Sequence, residues 1–184
     1  GSNTPEINAR IDGAWKKWCI FNHIWHSKEQ PIRVKRLFFV ALVYNTAVSA
    51  MEAFVLTNPE YDRITCFIAK RARALLAGKS CRIKEEGVEK MTNCEVFRKV
   101  GILPTHLELR LRRLKWIQSL ARTPSVSGCM FAAWLGQFDW DHIAPEENPW
   151  TKQLIEDVED ISQTSHYNAR EMVKIRACPA CVFK

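Results

Sequence analysis

Four polar side chains share one edge of a predicted helix between Pro104 and Pro124, and they are the clearest candidates for chemistry in the chain. Their spacing is i, i+3, i+7 and i+10, which places them on one helical face: Arg112, Lys115, Ser119 and Arg122. Three of the four are cations, so this edge suits electrostatic contact with an anionic partner. Further cations lie beside it or near the end of an earlier predicted helix: Arg110, Arg113, Lys70, Arg71 and Arg73.

Two other groups of residues have spacings that metal or acid–base chemistry would use. Cys178 and Cys181 form a C-x-x-C pair, which is either half of a zinc site that residues beyond Lys184 would complete or a pair of free thiols. Asp139, Asp141 and His142 lie close together, but alternating charges of this kind usually cap turns or face solvent. We therefore predict no catalytic residues and no bound metal in this chain.

The helix that carries the cationic edge is otherwise mostly apolar. Pro104 suits its first turn, and Thr105 with Glu108 is an alternative start with a capping box. Two further strips run along it, so about two-thirds of its girth is predicted to be buried: Leu107, Leu111, Leu114 and Ala121 in one, and Leu109, Arg113, Trp116 and Leu120 in the other. We interpret Leu111, Leu114 and Trp116 as structural.

The rest of the chain predicts an all-α fold, a multi-helix bundle with a smaller helical C-terminal extension. Apolar periodicity and helix-capping residues predict helices over residues 5–26, 31–57, 60–77, 93–100, 104–122, 129–135, 149–161 and 168–177. Residues 79–90 are predicted to be a polar loop, and the domains are predicted as 1–124 and 125–184. Arg33, Lys35 and Arg36 crowd the start of the second helix, which indicates an external anion or simple solvent exposure.

Charge and cysteine content restrict the class of protein and its location. The net charge is +7, and residues 60–125 carry fifteen Lys/Arg against seven Asp/Glu, whereas residues 126–184 carry five against nine. Seven cysteines favour a reducing, intracellular setting with free thiols. Residues 37–56 are apolar enough for a membrane span, but Glu52 would be costly in lipid, so we predict a buried core helix and no membrane partner.

Several motifs together resemble the region that follows the polymerase palm in non-LTR (LINE-type) retrotransposon reverse transcriptases. The turn from Gly101 to Pro104 precedes a helix bearing Arg112-Arg113-Leu114-Lys115-Trp116, with Arg122 and Pro124 at its end. Upstream, the long apolar helix from Arg36 to Phe54, with Glu52 near its end, and the Arg73–Gly78 segment resemble family motifs in the same order. The resemblance covers about residues 7–124. The chain departs from the family pattern at Gln118-Ser119 and at Val48-Ser49-Ala50.

The resemblance implies a thumb and the linker after it, without the palm that holds the aromatic-x-Asp-Asp motif and Mg²⁺. Such a thumb would bind an RNA/DNA hybrid or DNA duplex without sequence preference through phosphate contacts, in an intracellular and nuclear protein. The implied contacts are Arg112, Lys115 and Arg122, then Arg113, Arg110, Lys70, Arg71 and Arg73, and the missing palm would be a further partner. The alternative is a helical protein-interaction module derived from a retroelement, with a protein partner bound through the C-terminal third.

Overall fold

A computed structural model describes residues 3–76, 80–84, 87–122 and 149–161, and these form an all-α fold with one small β-hairpin. The predicted fold class is therefore confirmed. Contacts divide the chain into two compact units, residues 1–109 and 110–184, so the division falls inside a helix and not at the predicted 124/125 boundary. Residues 110–122 of this helix belong to the second unit because Asp157, in the helix Pro149–Ile161, pairs with Arg110 and Arg113.

The first predicted helix is two helices, α1 (Thr4–Ile20) and α2 (Asn22–His26), which are separated by a turn at Phe21. Trp18 and Trp25 hold this turn together. Their rings stack with centroids 4.8 Å apart and planes 12° apart, and Trp25 Nε1–H donates to the Trp18 carbonyl at 2.8 Å. Both tryptophans are buried, as expected of core anchors, whereas Trp15 is exposed.

The second predicted helix, residues 31–57, ends earlier than the sequence indicated. It comprises α3 (Ile32–Phe38), a π-helical segment (Phe39–Tyr44) and α4 (Asn45–Val48), followed by a 3-10 turn (Met51–Ala53). The helix stops because Ser49 is extended and Ala50 has a φ of +60°, a left-handed conformation that does not continue an α-helix.

This apolar segment contributes much of the core of the first unit. Ile32–Ala53 is long and apolar enough to cross a membrane, with a mean hydropathy of 1.3. A single segment of this kind is weak evidence for a membrane span, because the core helix of a soluble protein meets the same criteria. Six of its apolar side chains are buried in the core: Phe39, Val43, Tyr44, Ala47, Val48 and Met51. The burial agrees with the predicted core role of this segment.

The third helix, α5 (Asn58–Leu75), begins and ends two residues before the predicted bounds. A capping box starts it, because the Thr57 backbone N–H donates to Glu60 Oε2 at 2.8 Å while the Thr57 side chain pairs with the Glu60 backbone. The buried face points into the same core: Ile64, Ile68, Ala69, Ala72 and Leu75.

The prediction of a loop over residues 79–90 was wrong. Strand β1 (Cys81–Lys84) pairs antiparallel with β2 (Gly87–Lys90), and Cys81 lies opposite Lys90. Each strand has four residues, too few for alternation to stand out in a charged sequence. Arg73 Nη2 donates to the Met91 carbonyl at 3.0 Å and so ties the end of the hairpin to α5.

The remaining described helices lie close to their predicted positions. Helix α6 (Asn93–Val100) has Thr92 as N-cap and ends at Gly101, with φ +80°. Helix α7 (Thr105–Arg122) begins after Pro104, whose carbonyl accepts the Glu108 N–H at 3.0 Å. The Thr105 hydroxyl is buried and has no hydrogen-bond partner among the described residues, so no Thr105 capping box forms. Helix α8 runs Pro149–Ile161, and the predicted helices 129–135 and 168–177 fall outside the described ranges.

Candidate nucleic-acid interface

The second half of α7, in the second unit, is held by a single carboxylate of α8. Arg113 Nε lies 2.6 Å from Asp157 Oδ2, and Arg110 Nε lies 3.0 Å from Asp157 Oδ1. Arg113 and Asp157 are both buried, with 1% and 3% of their surfaces exposed, and Arg110 is half-buried. Because a buried charge needs a partner, the two arginines and the carboxylate form one structural unit.

Burial makes Arg113 inaccessible to an external phosphate, so it belongs to the packing of α7 on α8 and not to the predicted contact set. The sequence pattern already placed it one turn after Leu109 on a mostly apolar strip, and Leu109 is fully buried. Arg110 is committed in part to the same carboxylate. Sequence reasoning missed Asp157 because it lies 44 residues away and no local spacing links it to α7.

The apolar strips of α7 are buried differently from the prediction. Leu114 is buried, and Trp116 contacts Trp150 of α8 edge to face, with ring centroids 6.0 Å apart. Leu114 is therefore buried as predicted, whereas Trp116 keeps 37% of its surface exposed despite this contact. Leu107 and Leu111 are exposed, so their strip is buried at Leu114 but not at these two positions, and Leu111 does not have the buried position predicted for it. Leu109 is buried in the core of the first unit, and Arg113 is buried in the second unit, where Asp157 pairs with it.

The predicted cationic edge of α7 has one exposed cation among the side chains that the structure describes. Lys115 is exposed, and Arg112 is half-buried and takes part in an interaction within the protein. Arg122 is the last residue of α7, so the helical backbone carries the same edge to its end, but the structure does not describe its side chain. Among the side chains of this edge that the structure describes, Lys115 is therefore the exposed cation.

The three candidates on α5, in the first unit, have different environments. Lys70 is exposed. The Arg71 guanidinium lies over the rings of Trp15 and Trp18, at 4.7 and 5.3 Å from their centroids, and burial lowers the pKa of Arg71. Arg73 is half-buried and donates to the Met91 carbonyl. Lys70 is thus the accessible one, while Arg71 and Arg73 hold parts of the fold together.

The cations at the start of α3 separate into two kinds. Arg33 and Arg36 are exposed, which is compatible with both interpretations of this cluster, an external anion and simple solvent exposure. Lys35 is buried, and its Nζ donates to the carbonyl oxygens of Trp25 at 3.0 Å and Ser27 at 2.6 Å. These two carbonyl oxygens at the end of α2 accept hydrogen bonds from the ammonium group and so make its burial possible. The sequence did not reveal this contact.

Metal chemistry has no candidate in the part of the chain that the structure describes, where no group of three or more His, Cys, Asp or Glu side chains converges. Cys178, Cys181, Asp139, Asp141 and His142 all fall outside that part, so the zinc alternative stays a prediction. A scan against models of protein families finds no match, and comparisons with curated proteins and with solved structures find none either.

Proposed function

We propose that this chain is a non-catalytic helical fragment of a retrotransposon-type reverse transcriptase that clamps the template–primer duplex through phosphate contacts. The observation that supports it best is the cationic edge of α7, where Lys115 is exposed beside Arg112 while Asp157 holds the neighbouring arginines. A helix that is packed on one side and basic on another holds its cations in place before a nucleic acid binds, so their contact with the phosphate backbone costs little conformational entropy.

Sequence-independent binding follows from the kind of contact proposed. Lys and Arg that neutralise phosphates bind any sequence and release counterions, so affinity falls with salt. The excess of cations in residues 60–125 gives the same part of the chain a long-range attraction for a polyanion. In the parent polymerase, Mg²⁺ and the catalytic carboxylates would belong to the palm, and this fragment would only bind the duplex.

A salt-dependent titration tests the proposal. Binding of a labelled DNA duplex and of an RNA/DNA hybrid, each in two unrelated sequences, is measured by fluorescence anisotropy from low to moderate salt. Lys115→Ala is expected to weaken binding of both sequences equally and to reduce the slope of log K against log salt by about 0.9 for one lost phosphate contact. Arg112→Ala combined with Lys115→Ala should reduce it further.

Lys152→Ala is the matched control, because Lys152 is an exposed lysine on α8 in the same unit and its removal changes the net charge equally. The proposal fails if no duplex binding is detected at low salt. It also fails if Lys115→Ala and Lys152→Ala change the salt slope by the same amount.

A helical protein-interaction module is the second candidate, and exposed apolar side chains favour it. Ile20 on α1 and Leu37 on α3 expose 68% and 71% of their surfaces, and they are the most exposed large apolar side chains that the structure describes. Under this proposal Ile20→Ser and Leu37→Ser abolish association with a protein partner, while duplex binding is absent. Association that is insensitive to both changes would exclude this candidate.

A further inference from the structure

Trp15 is a tryptophan of α1 whose position the core of the first unit does not explain. It keeps 44% of its surface exposed, whereas Trp18 and Trp25 keep 3% and 0%. It belongs neither to the buried core nor to the half-buried apolar side chains that pack against that core. A large aromatic side chain in this position adds little to core packing, so part of its ring surface is free to receive a ligand.

The Arg71 guanidinium of α5 lies against this side chain. Its central carbon is 4.7 Å from the ring centroid of Trp15 and 5.3 Å from that of Trp18. The exposed fraction of Trp15 is measured with Arg71 in place, so the guanidinium does not cover the whole side chain. A ring that is already held by a cation loses little conformational entropy when a ligand stacks on it.

The charge near the ring favours an anionic ligand. No carboxylate pairs with Arg71 in the part of the chain that the structure describes, and its Nε is buried there without a hydrogen-bond acceptor. Two exposed lysines, Lys16 and Lys70, lie next to Trp15 and Arg71 in the chain. Asp12 is the one exposed acid within a helical turn of either residue, a stretch in which the structure describes every position. The local balance is therefore positive.

An exposed aromatic ring beside cations is the combination that binds a single strand of nucleic acid, because bases stack on the ring while cations contact the phosphates. Bases inside a duplex are already paired and stacked, so a protein ring receives an unpaired base more readily. We propose that Trp15 stacks on an unpaired base of a nucleic-acid strand, beside Arg71, Lys16 and Lys70. The nucleic-acid ligand is that of the proposed function, on which this inference rests, but the contact is with a single strand and not with the duplex.

Two labelled single strands of about ten nucleotides test the proposal, one of thymidine and one of abasic sugar-phosphate units with the same length and charge. Fluorescence anisotropy should show that the full chain binds the thymidine strand about tenfold more tightly, which is the effect of stacking one base on an aromatic side chain. Trp15→Leu should bring the two affinities to within about twofold of each other. Trp15→Phe, which keeps a ring, should retain part of the preference.

Arg71→Lys tests the part of the guanidinium that lies against the ring. It keeps the charge without the planar group, so it should reduce the preference for thymidine and leave the affinity for the abasic strand unchanged. A loss of stability alone would weaken binding of both strands and would not change their ratio.

Phe38→Leu is the matched control, because Phe38 is another aromatic residue of the first unit, with 38% of its surface exposed, and the change should leave the preference as it is. The proposal is overturned if the unaltered chain binds both strands equally, as it would if Trp15 served a protein partner. It is also overturned if Trp15→Leu keeps the preference, or if Phe38→Leu removes it as well. Failure of the duplex clamp would appear elsewhere, as equal salt slopes of Lys115→Ala and Lys152→Ala on blunt duplexes.

Discussion

Arg113 and Asp157 form a buried ion pair between α7 and α8, with 2.6 Å between Arg113 Nε and Asp157 Oδ2. Arg110 occupies the other carboxylate oxygen. A cation in the middle of an otherwise apolar strip is stable here because its partner is buried with it, and removal of that partner leaves a charge in a dry environment.

Asp157→Asn is therefore expected to lower the free energy of unfolding of the second unit by about 3 kcal/mol, because the buried guanidinium loses its counter-charge. Urea unfolding followed by circular dichroism measures the change. Glu156→Gln is the control, since Glu156 is the exposed acid next in sequence, and a change within about 0.5 kcal/mol is expected for it. Equal losses in the two variants would contradict a structural role for the pair.

Two glycines should respond to alanine with opposite signs. Gly101 ends α6 with φ +80°, and an added Cβ would lie 3.0 Å from Arg36 Nη1, so Gly101→Ala should destabilise the fold by about 1–2 kcal/mol. Gly13 lies inside α1, where a Cβ would meet Thr46 Cγ2 at an ordinary 3.6 Å. Gly13→Ala should therefore stabilise by about 0.5–1 kcal/mol. Thermal unfolding compares the two, and a shift in the same direction for both would refute the argument.

Glu60 makes stability depend on acid pH. The Thr57 backbone N–H holds the pKa of Glu60 below its ordinary value of 4.5, and the Thr57 hydroxyl and Asn3 side chain and backbone act in the same direction. A carboxyl whose pKa is lower in the folded state stabilises the fold above its unfolded pKa, and this contribution is lost as pH falls through the folded pKa. We expect unfolding midpoints to decline as pH falls below about 4.5, and Glu60→Gln to remove part of that decline. An unchanged pH profile in Glu60→Gln would contradict this.

The guanidinium of Arg71 should contribute to the packing of α5 on α1. Arg71→Met keeps the aliphatic part but removes the cation over Trp15 and Trp18, so a loss of about 1 kcal/mol is expected. Lys70→Met is the neighbouring control, and because Lys70 is exposed it should be almost neutral. Equal unfolding midpoints for the two variants would show that the ring contacts contribute little.

Features with local causes were predictable from the sequence. The start and end of α6 follow from Thr92, Glu95 and Gly101, which act within a few residues of one another. The all-α class follows from helical periodicity that recurs along the chain. The early stop at Ala50 was not predictable, because nothing in this apolar run requires a positive φ.

The sequence predicted which cations share one edge of α7, but it did not predict which candidate cations are accessible to a ligand. Helical spacing correctly places Arg112 and Lys115 on one edge of α7, whereas the fate of Arg113 depends on Asp157, and that of Arg71 on Trp15 and Trp18. These partners are distant in sequence, so periodicity cannot distinguish a solvent-facing arginine from one that holds two helices together.

The π-helical segment Phe39–Tyr44 has a consequence for comparing this chain with others. Asn45 N–H bonds to the Val40 carbonyl five residues back instead of four, so this turn holds one residue more than an α-helical turn. In evolutionary terms it is equivalent to a one-residue insertion absorbed inside a helix. An alignment with a relative that lacks it therefore needs a single gap between Phe39 and Tyr44. Without that gap, an alignment that matches α3 correctly would place the apolar positions of α4 one residue out of register.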